Sequence, residues 1–391
     1  MKRRDFLAAS AVLSLLASTP SYAAKKPAPR KLPAKPLPRK VAANTAHASP
    51  PSETRNVISL PDEPLARWRS YDISSTITLN RLKGKTRLWL PLAQYKDTLW
   101  ERSLGHSWQG NFENAGIYRD PVAEMEVFYA DWAEGVDTPR LQIISQVAVQ
   151  DRHFDITRRG AVAERTEVLR RCLQSTELVP IDGIVRHTAE RAIGRIKDPV
   201  ALGKAIYEWV VENASYDPLI KDHGIISAAN MLESGQLNSN STGIALLFVA
   251  LCRSIGIPAR PVFGLRVDMS RLFGSLGTFG NLNQAQHCRA EFYTPGYGWI
   301  PVDPSDVRQA MREERLGNGD PKLNVLKKLL FGFWEMNWVS FNAAQDVALR
   351  GSTGKTLPFL IHPQVETAEG RLDTDDSSRF SYKVTASRGE S

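Results

Sequence analysis

One stretch, residues 234–267, constrains the fold more than any other, because it contains an apolar stripe with sharp ends. Apolar residues recur at helical spacing over 244–255, so one face of a helix that begins near Ser241 must lie against a core. A glycine and a proline at 256 and 258 end this helix, since glycine tolerates the left-handed turn and proline cannot continue a helix. The sequence therefore predicts a buried helix followed directly by a strand over 260–267.

The start of this helix can hold either a cap or a nucleophile. A polar run, Asn-Ser-Asn-Ser-Thr at 238–242, precedes the apolar stripe. A side chain there faces unpaired backbone N–H groups and the positive end of the helix dipole, which stabilise negative charge on an attacking atom. Serine, asparagine and threonine are also the preferred N-cap residues. Taken alone, the stretch favours a cap over a nucleophile.

The 391-residue chain carries a formal charge of +8, and the location of that charge argues against a nucleic-acid partner. Residues 2–5 contribute +2 and residues 24–56 contribute +7, so residues 57–391 carry about −1. A domain without net positive charge offers no general attraction for phosphate backbones. The apolar fraction of 42% is ample for a sizeable core and for two domains.

The N-terminus has the pattern of an export signal. A basic start that includes Arg3 and Arg4 precedes a short apolar run at 7–17, and Ser21 and Ala23 supply the small residues of a cleavage site. The paired arginines favour the twin-arginine route, with the general secretory route as the alternative. The apolar run is shorter than the ~20 residues that span a bilayer. We expect a signal peptide over 1–23, cleaved near Ala23, and a periplasmic mature protein without a transmembrane segment.

Residues 24–62 are rich in lysine, proline and alanine, and we interpret them as a semi-rigid linker. This linker is either a simple spacer or a contact to the anionic envelope surface. The three cysteines, Cys172, Cys252 and Cys288, are an odd number, so at least one thiol is free. No CxxC pair or His/Cys cluster has metal-ligand spacing, and we expect neither a metal nor another cofactor.

Two kinds of periodicity divide the rest of the chain. Short alternating runs between 68 and 155 predict a β-sandwich-like domain, to which we assign 63–165. Two amphipathic helices over 185–210 then lead into the central helix. A loop rich in glycine and serine follows, then a strand pair joined at Pro295-Gly296, and further strands that we set apart as a C-terminal segment, 351–391. The predicted fold class is α+β.

The first strand of that pair carries a histidine with a candidate carboxylate partner. Alternation places His287 on the opposite face from Cys288. A turn centred on Pro295 sets His287 opposite Asp303, whereas a turn centred between the next two residues brings Asp306 there. A carboxylate in either position can orient the imidazole and stabilise its charged form.

Three segments together resemble the core of bacterial transglutaminase-like proteins, relatives of the papain-type cysteine enzymes. They read LFVALCRSIGIPARPVFGLRV, QAQHCRAEFY and GYGWIPVDPSDV. The resemblance covers about residues 178–350 and implies a transglutaminase-like, papain-like α+β domain over 170–350, preceded by a β domain. It also implies a nucleophile at the helix start, a histidine on the first strand and an aspartate on the second, which selects Asp303 as the partner of His287.

The nucleophile position departs from the family pattern. Where such proteins read roughly Gly-Gly-Lys-Cys-x-Asp, this chain reads Asn-Ser-Asn-Ser-Thr-Gly at 238–243, so the cysteine position falls on Ser241. The resemblance thus implies Ser241, His287 and Asp303 as the catalytic positions. A thiol is partly ionised near neutral pH, whereas a serine hydroxyl needs a base aimed at Oγ and an adjusted oxyanion site.

The sequence leaves three functions open. The first is an exported, catalytically silent transglutaminase-like protein that binds a peptide or a peptidoglycan stem peptide in the retained cleft. The second is a residual amide hydrolase or acyltransferase in which Ser241 attacks, His287 is the base and Asp303 orients it. The third is a structural or interaction protein of the periplasm in which the polar helix start is only a cap and the β domain does the binding. Retention of His287 with Asp303 favours the first two, and serine in place of cysteine favours the first.

Overall fold

The computed structural model describes residues 68–94, 96–120 and 125–389. The predicted signal peptide, 1–23, and the predicted linker, 24–62, lie outside the described residues. Among the helices that lie within the described ranges, none combines the length and the apolar character needed to cross a bilayer.

The described ranges contain seventeen strands and seven α-helices. The strands are β1 Arg69–Leu79, β2 Thr86–Pro91, β3 Glu101–Gly110, β4 Asn114–Asp120, β5 Met125–Trp132, β6 Arg140–Val149, β7 Arg152–His153, β8 Ser215–Tyr216, β9 Asn238–Ser239, β10 Ala259–Arg266, β11 Gln286–Thr294, β12 Gly298–Val302, β13 Phe333–Trp334, β14 Trp338–Asn342, β15 Gln364–Thr367, β16 Gly370–Arg371 and β17 Phe380–Arg388. The helices are α1 Thr166–Arg171, α2 Ile184–Ile193, α3 Pro199–Asn213, α4 Ala228–Ser234, α5 Ser241–Ser254, α6 Pro304–Glu313 and α7 Pro321–Leu329. The predicted α+β class is confirmed.

Two antiparallel sheets form the β part, in the orders β17-β1-β6-β3 and β16-β15-β2-β5-β4. Alternate side chains of β1 are buried, as its period-two pattern predicts. The two sheets share one apolar core, whose members include Ile77, Leu79, Leu88, Leu90, Phe128 and Leu141. Strands β3 and β4 escaped the sequence analysis because most of their residues are polar or exposed.

The C-terminal strands lie in these same two sheets. Strand β17 pairs with β1 over nine residues, from Tyr71↔Arg388 to Leu79↔Phe380, and β15 pairs with β2. The segment set apart over 351–391 therefore supplies strands to both sheets beside the first strands of the described chain.

The helical part is built around α5. This helix packs against the sheet β12-β11-β10-β14, with α2, α3 and α6 also in contact with it. All fourteen of its residues are buried, so it is covered on every side rather than along a single stripe. The helix begins at Ser241 as the sequence predicts, and Gly256 follows it with φ +82°, a conformation that favours glycine.

The hairpin of β11 and β12 has a different register from the predicted one. Ala290 pairs with Val302 and Phe292 with Ile300, so the turn is centred on Gly296 rather than on Pro295. Strand β12 ends at Val302 because Pro304, two residues later, begins α6. His287 consequently has no partner on β12, and the assumption that Asp303 lies across the ladder from it is wrong.

Candidate functional site

The helix start is capped by Asn240, and Ser241 is the first helical residue. Asn240 Oδ1 accepts a hydrogen bond from the Gly243 amide at 3.1 Å. Asn240 Nδ2 donates to Asp222 Oδ1 at 2.7 Å. A Cβ at Gly243 would overlap the Ser239 side chain, so the loop is packed too tightly there for another residue type. The capping function weighed for this polar run thus belongs to Asn240, which leaves the Ser241 hydroxyl free for another contact.

The Ser241 side chain faces β11 but does not bind the imidazole. Its Oγ accepts a hydrogen bond from the Cys288 amide at 3.2 Å, and the residue is buried. Within the part of the chain that the structure describes, no hydrogen bond joins Ser241 to His287. Ser241 therefore lies beside the histidine along β11 without being engaged by it.

The imidazole of His287 has partners at both ring nitrogens. Nε2 lies 2.8 Å from Asp303 Oδ2 and 3.3 Å from Asp306 Oδ1. Nδ1 lies 3.0 Å from Arg266 Nη2. Because a guanidinium only donates and a carboxylate only accepts, Nδ1 accepts from Arg266 and the proton resides on Nε2. Arg266 Nη2 also contacts Asp306 Oδ1 and Gln309 Oε1, so the imidazole shares this donor with two other acceptors.

Asp303 reaches His287 from the cap of α6, not from the strand. Its Oδ1 accepts hydrogen bonds from the Asp306 amide at 3.0 Å and from Ser305 Oγ at 2.7 Å, while Oδ2 faces the imidazole. The turn into α6 brings both aspartates named in the sequence analysis within 3.3 Å of the same ring nitrogen. The choice between them therefore does not arise, since both carboxylates contact His287.

Two arginines balance the charge of these two carboxylates. Arg266 forms a buried ion pair with Asp306, and Arg289 Nε lies 3.4 Å from Asp303 Oδ2. Burial acts to raise the pKa of Asp303, but His287, Arg289 and Arg266 outweigh it and hold the pKa well below its usual range. The cluster is a closed network of charges in which each ionised group has an opposite partner.

The same cluster has the spacing of a metal site but not its charge. His287, Asp303 and Asp306 offer ligand atoms that all lie within 4.8 Å of one another. Arg266 and Arg289 are in contact with the two carboxylates, so a cation would meet two guanidinium groups and compete with them for the same oxygens. The residues do not fit a metal ion, and we assign none to this cluster.

A second aspartate–histidine pair lies at the start of α5. His362 Nε2 is 2.8 Å from Asp222 Oδ2, whose other oxygen accepts from Asn240. Burial raises the pKa of Asp222, but hydrogen bonds from His362, Asn240 and Thr242 bring it below its ordinary value. The chain thus places a carboxylate of its own at the positive end of the helix.

Arg266 is the residue of the site that sequence reasoning missed. Gly264 pairs with His287 across β10 and β11, so Arg266, two residues further along β10, projects on the same face as the imidazole. That alternation is the signal that could have found it. His362, by contrast, is a single histidine between apolar residues about 140 positions after its partner, and no local pattern marks it.

A pocket of about 400 Å³ is lined by other residues than those of the site, among them Asn238 of β9. Its walls come from β8, from Asn238 of β9, and from α6 with the residues that follow it. Asn238 is three residues before Ser241, which limits their Cα separation to about 11 Å. The pocket therefore lies near the start of α5, although the buried Ser241, His287 and Asp303 do not line it.

Known proteins resemble the chain in sequence and in fold. A sequence model of the Transglutaminase-like superfamily matches residues 186–304, which run from α2 to the first residue of α6. An uncharacterized protein from Haemophilus influenzae is 29% identical over 326 residues, which cover 78% of this chain and 87% of that protein. A solved structure from Cytophaga hutchinsonii, provisionally named a cysteine protease, has a TM-score of 0.50 at 16% identity and covers 83% of this chain and 89% of its own.

The periplasmic domain of TgpA from Pseudomonas aeruginosa aligns with a TM-score of 0.30 at 15% identity, over 63% of this chain and 93% of that domain. A score this low supports no argument. The Cytophaga similarity extends over most of the chain and concerns the fold alone.

Proposed function

We propose that this protein, whose residues 186–304 form a domain of the transglutaminase-like superfamily, lacks acyl-transfer activity and binds a peptide at the start of α5. In this proposal Ser241 stands where related enzymes carry the attacking cysteine. The bound peptide is a peptidoglycan stem peptide or another peptide of the periplasm, to which the N-terminal signal pattern directs the protein. The observation that carries the proposal is that His287 has a partner at each ring nitrogen.

A serine nucleophile requires a base that removes its proton during attack. Nε2 of His287 is protonated and bonded to Asp303, and Nδ1 accepts from Arg266, so neither nitrogen is available to Ser241 Oγ. Freeing Nδ1 means breaking the buried Arg266–His287 contact, and a hydrogen bond to a charged group is worth about 1.5–3 kcal/mol. General-base catalysis is typically worth about 10²–10⁴-fold in rate. The cost of freeing the base thus offsets part of what the base would contribute.

The cysteine that lies nearest along β11 offers no substitute nucleophile. Cys288 is buried on the face of β11 that packs into the helical core, and burial raises the pKa of its thiol well above the ordinary value. Nearby Asp222 and Asp303 raise that pKa further. A thiol in this environment stays protonated and unreactive at neutral pH.

The test combines a search for turnover with a search for binding. Mature protein is incubated with an acetylated, glutamine-containing peptide amide and a primary amine, and mass spectrometry records ammonia release, amine incorporation or hydrolysis. We expect the same background as for Ser241→Ala. In parallel, isothermal titration calorimetry with a stem peptide that has a free C-terminal carboxylate should detect binding by both the wild type and Ser241→Ala.

The two alternatives predict different results. Turnover that disappears in Ser241→Ala would show a working serine nucleophile and support residual acyl transfer. Absence of both turnover and peptide binding would support a purely structural protein. Only binding without Ser241-dependent turnover agrees with the proposal.

A further inference from the structure

The pocket beside the helix start is lined by three arginines, and we name it the arginine pocket. Arg308 and Arg312 lie one turn apart on α6, and Arg315 follows shortly after the helix end. Asp217 is the one acidic residue among the pocket-lining residues of the described chain. The lining therefore carries two more positive than negative charges.

The partners of these arginines leave that excess uncompensated. Arg312 Nη1 donates to the Tyr216 carbonyl at 2.7 Å and lies 3.3 Å from Asp217 Oδ1, so Arg312 uses the acidic group. Arg308 Nη1 donates to the Val211 carbonyl at 3.1 Å, which fixes the guanidinium, and its buried Nε has no acceptor. Within the described ranges no carboxylate lies within 4.0 Å of Arg308 or Arg315. A fixed guanidinium without a counterion is suited to receive an anion from outside the chain.

Beside the charged residues and the polar Ser215 and Asn238, the pocket has an apolar part. Met311, Leu316 and the ring of Tyr216 face the same space as the arginines. A volume of about 400 Å³ lies near the lower end of the range for ligand pockets, which suits a ligand of dipeptide size rather than a polymer. A ligand that satisfies both walls has one anionic group attached to a short aliphatic body.

We propose that the arginine pocket binds the carboxylate of a short peptide, with Arg308 and Arg315 as its charge partners and Met311 against its aliphatic side chain. This inference rests on the proposed peptide-binding function and names the feature of the peptide that is recognised. Asn238 belongs to the pocket and lies three residues before Ser241, so the residues that precede the carboxylate extend toward the start of α5. Tyr216 contributes its ring to this pocket, and its hydroxyl lies within the electrostatic influence of Arg266, Glu313 and Asp306.

The test measures binding of small probes by isothermal titration calorimetry with the mature protein. The probes are acetyl-Ala-Ala with a free C-terminal carboxylate, its C-terminal amide, acetyl-Ala-Glu amide with a side-chain carboxylate, and inorganic phosphate. We expect the free acid to bind at least tenfold more tightly than the amide. The Glu-containing amide separates a side-chain carboxylate from a chain terminus as the recognised group: tight binding of that probe would assign the pocket to side-chain carboxylates.

Substitutions locate the binding. Arg308→Gln and Arg315→Gln should each weaken the free acid about tenfold and leave the amide unchanged. Arg315 is exposed, so its variant remains informative if Arg308→Gln fails to fold. Arg195→Gln, an exposed arginine outside the pocket, is the matched control and should change affinity less than twofold.

Three outcomes would overturn the inference. Equal affinity for the acid and the two amides would show that the pocket does not recognise the charge of the carboxylate. Phosphate that binds more tightly than the acid would assign the pocket to inorganic anions. Turnover that depends on Ser241, with Arg315-dependent binding intact, would refute catalytic silence and leave the arginine pocket standing. Peptide binding that neither arginine variant changes would refute the arginine pocket and leave catalytic silence standing.

Discussion

Replacing Arg266 by methionine tests whether the charge network around His287 is a closed, mutually dependent unit. The substitution keeps an unbranched apolar chain of similar length and removes the guanidinium. It therefore deprives Asp306 of its ion-pair partner and His287 Nδ1 of its donor, while both of these groups are nearly inaccessible, with 2% of each residue exposed. The fold around them otherwise keeps its apolar contacts.

The magnitude follows from burial. Removing one member of a buried ion pair leaves an uncompensated charge and costs about 3–5 kcal/mol, whereas replacing both members by groups without charge is far less costly. Arg266→Met should therefore lower the free energy of unfolding by about 3–5 kcal/mol. Arg266→Met combined with Asp306→Asn should recover at least about 1 kcal/mol of that loss, because the orphaned carboxylate is gone.

The assay is urea unfolding at pH 7, followed by the fluorescence of the nine tryptophans, with midpoints compared at unchanged slope. Nitrogen-15 labelling of histidine provides the second readout, with His287→Gln used to assign the signals. In the wild type we expect Nδ1 of His287 in the unprotonated form and Nε2 in the protonated form. A loss below about 1 kcal/mol in the single variant, or a double variant no more stable than the single one, would refute the reasoning.

Three further predictions follow from other buried groups. Burial raises the pKa of Glu101 to about 8 from its ordinary 4.5, against the opposing effect of the Ser340 hydrogen bonds, so the folded state holds a proton that the unfolded state releases between these values. The free energy of unfolding should accordingly fall by up to about 1.4 kcal/mol per pH unit as the pH rises from 4.5 to 8, and Glu101→Gln should flatten this slope in urea titrations at several pH values. All three cysteines are buried, so a thiol reagent should label none of them in the native protein and all three in denaturant; fast native labelling of Cys252 would contradict the packing of α5. Gly264→Ala would place a Cβ against the Val339 carbonyl and the Trp338 ring and should cost about 1–3 kcal/mol, whereas Gly274→Ala, which meets nothing within 4 Å, should stay within about 0.5 kcal/mol on thermal unfolding.

The elements of the helical part could be predicted from local signals. Helix α5 is marked by its apolar stripe and by the glycine that follows it, and β11 and β12 are marked by alternation on either side of a Pro-Gly turn. These signals depend on neighbouring residues, which is why they survive without any knowledge of the fold. Strand β3 lacks them because most of its residues are exposed, and β4 lacks them because it is only half-buried and has few large apolar residues.

The site was only partly predictable. The sequence singles out Ser241, His287 and Asp303, and the structure brings His287 and Asp303 together at 2.8 Å. The sequence does not reveal that α6 begins immediately after Asp303, because a helix start and a continued strand differ there by a single proline. It also leaves Arg266 unnoticed, since the meaning of that arginine depends on which strand lies next to β11. Contacts between distant segments carry the chemistry of the site, and they are set by topology rather than by local pattern.

The pairing of β17 with β1 has a consequence for the order in which the protein folds. About 300 residues separate the two strands, and at about 5–20 residues per second their synthesis takes roughly 15–60 s. During this interval one edge of β1 exposes unpaired backbone groups, which is the kind of edge that recruits other strands into aggregates. The sheet β17-β1-β6-β3 is therefore completed last. Chaperone protection is accordingly needed most while the middle of the chain is being made. Deleting residues 380–388 should trap every molecule in this open state, with its helical core already complete.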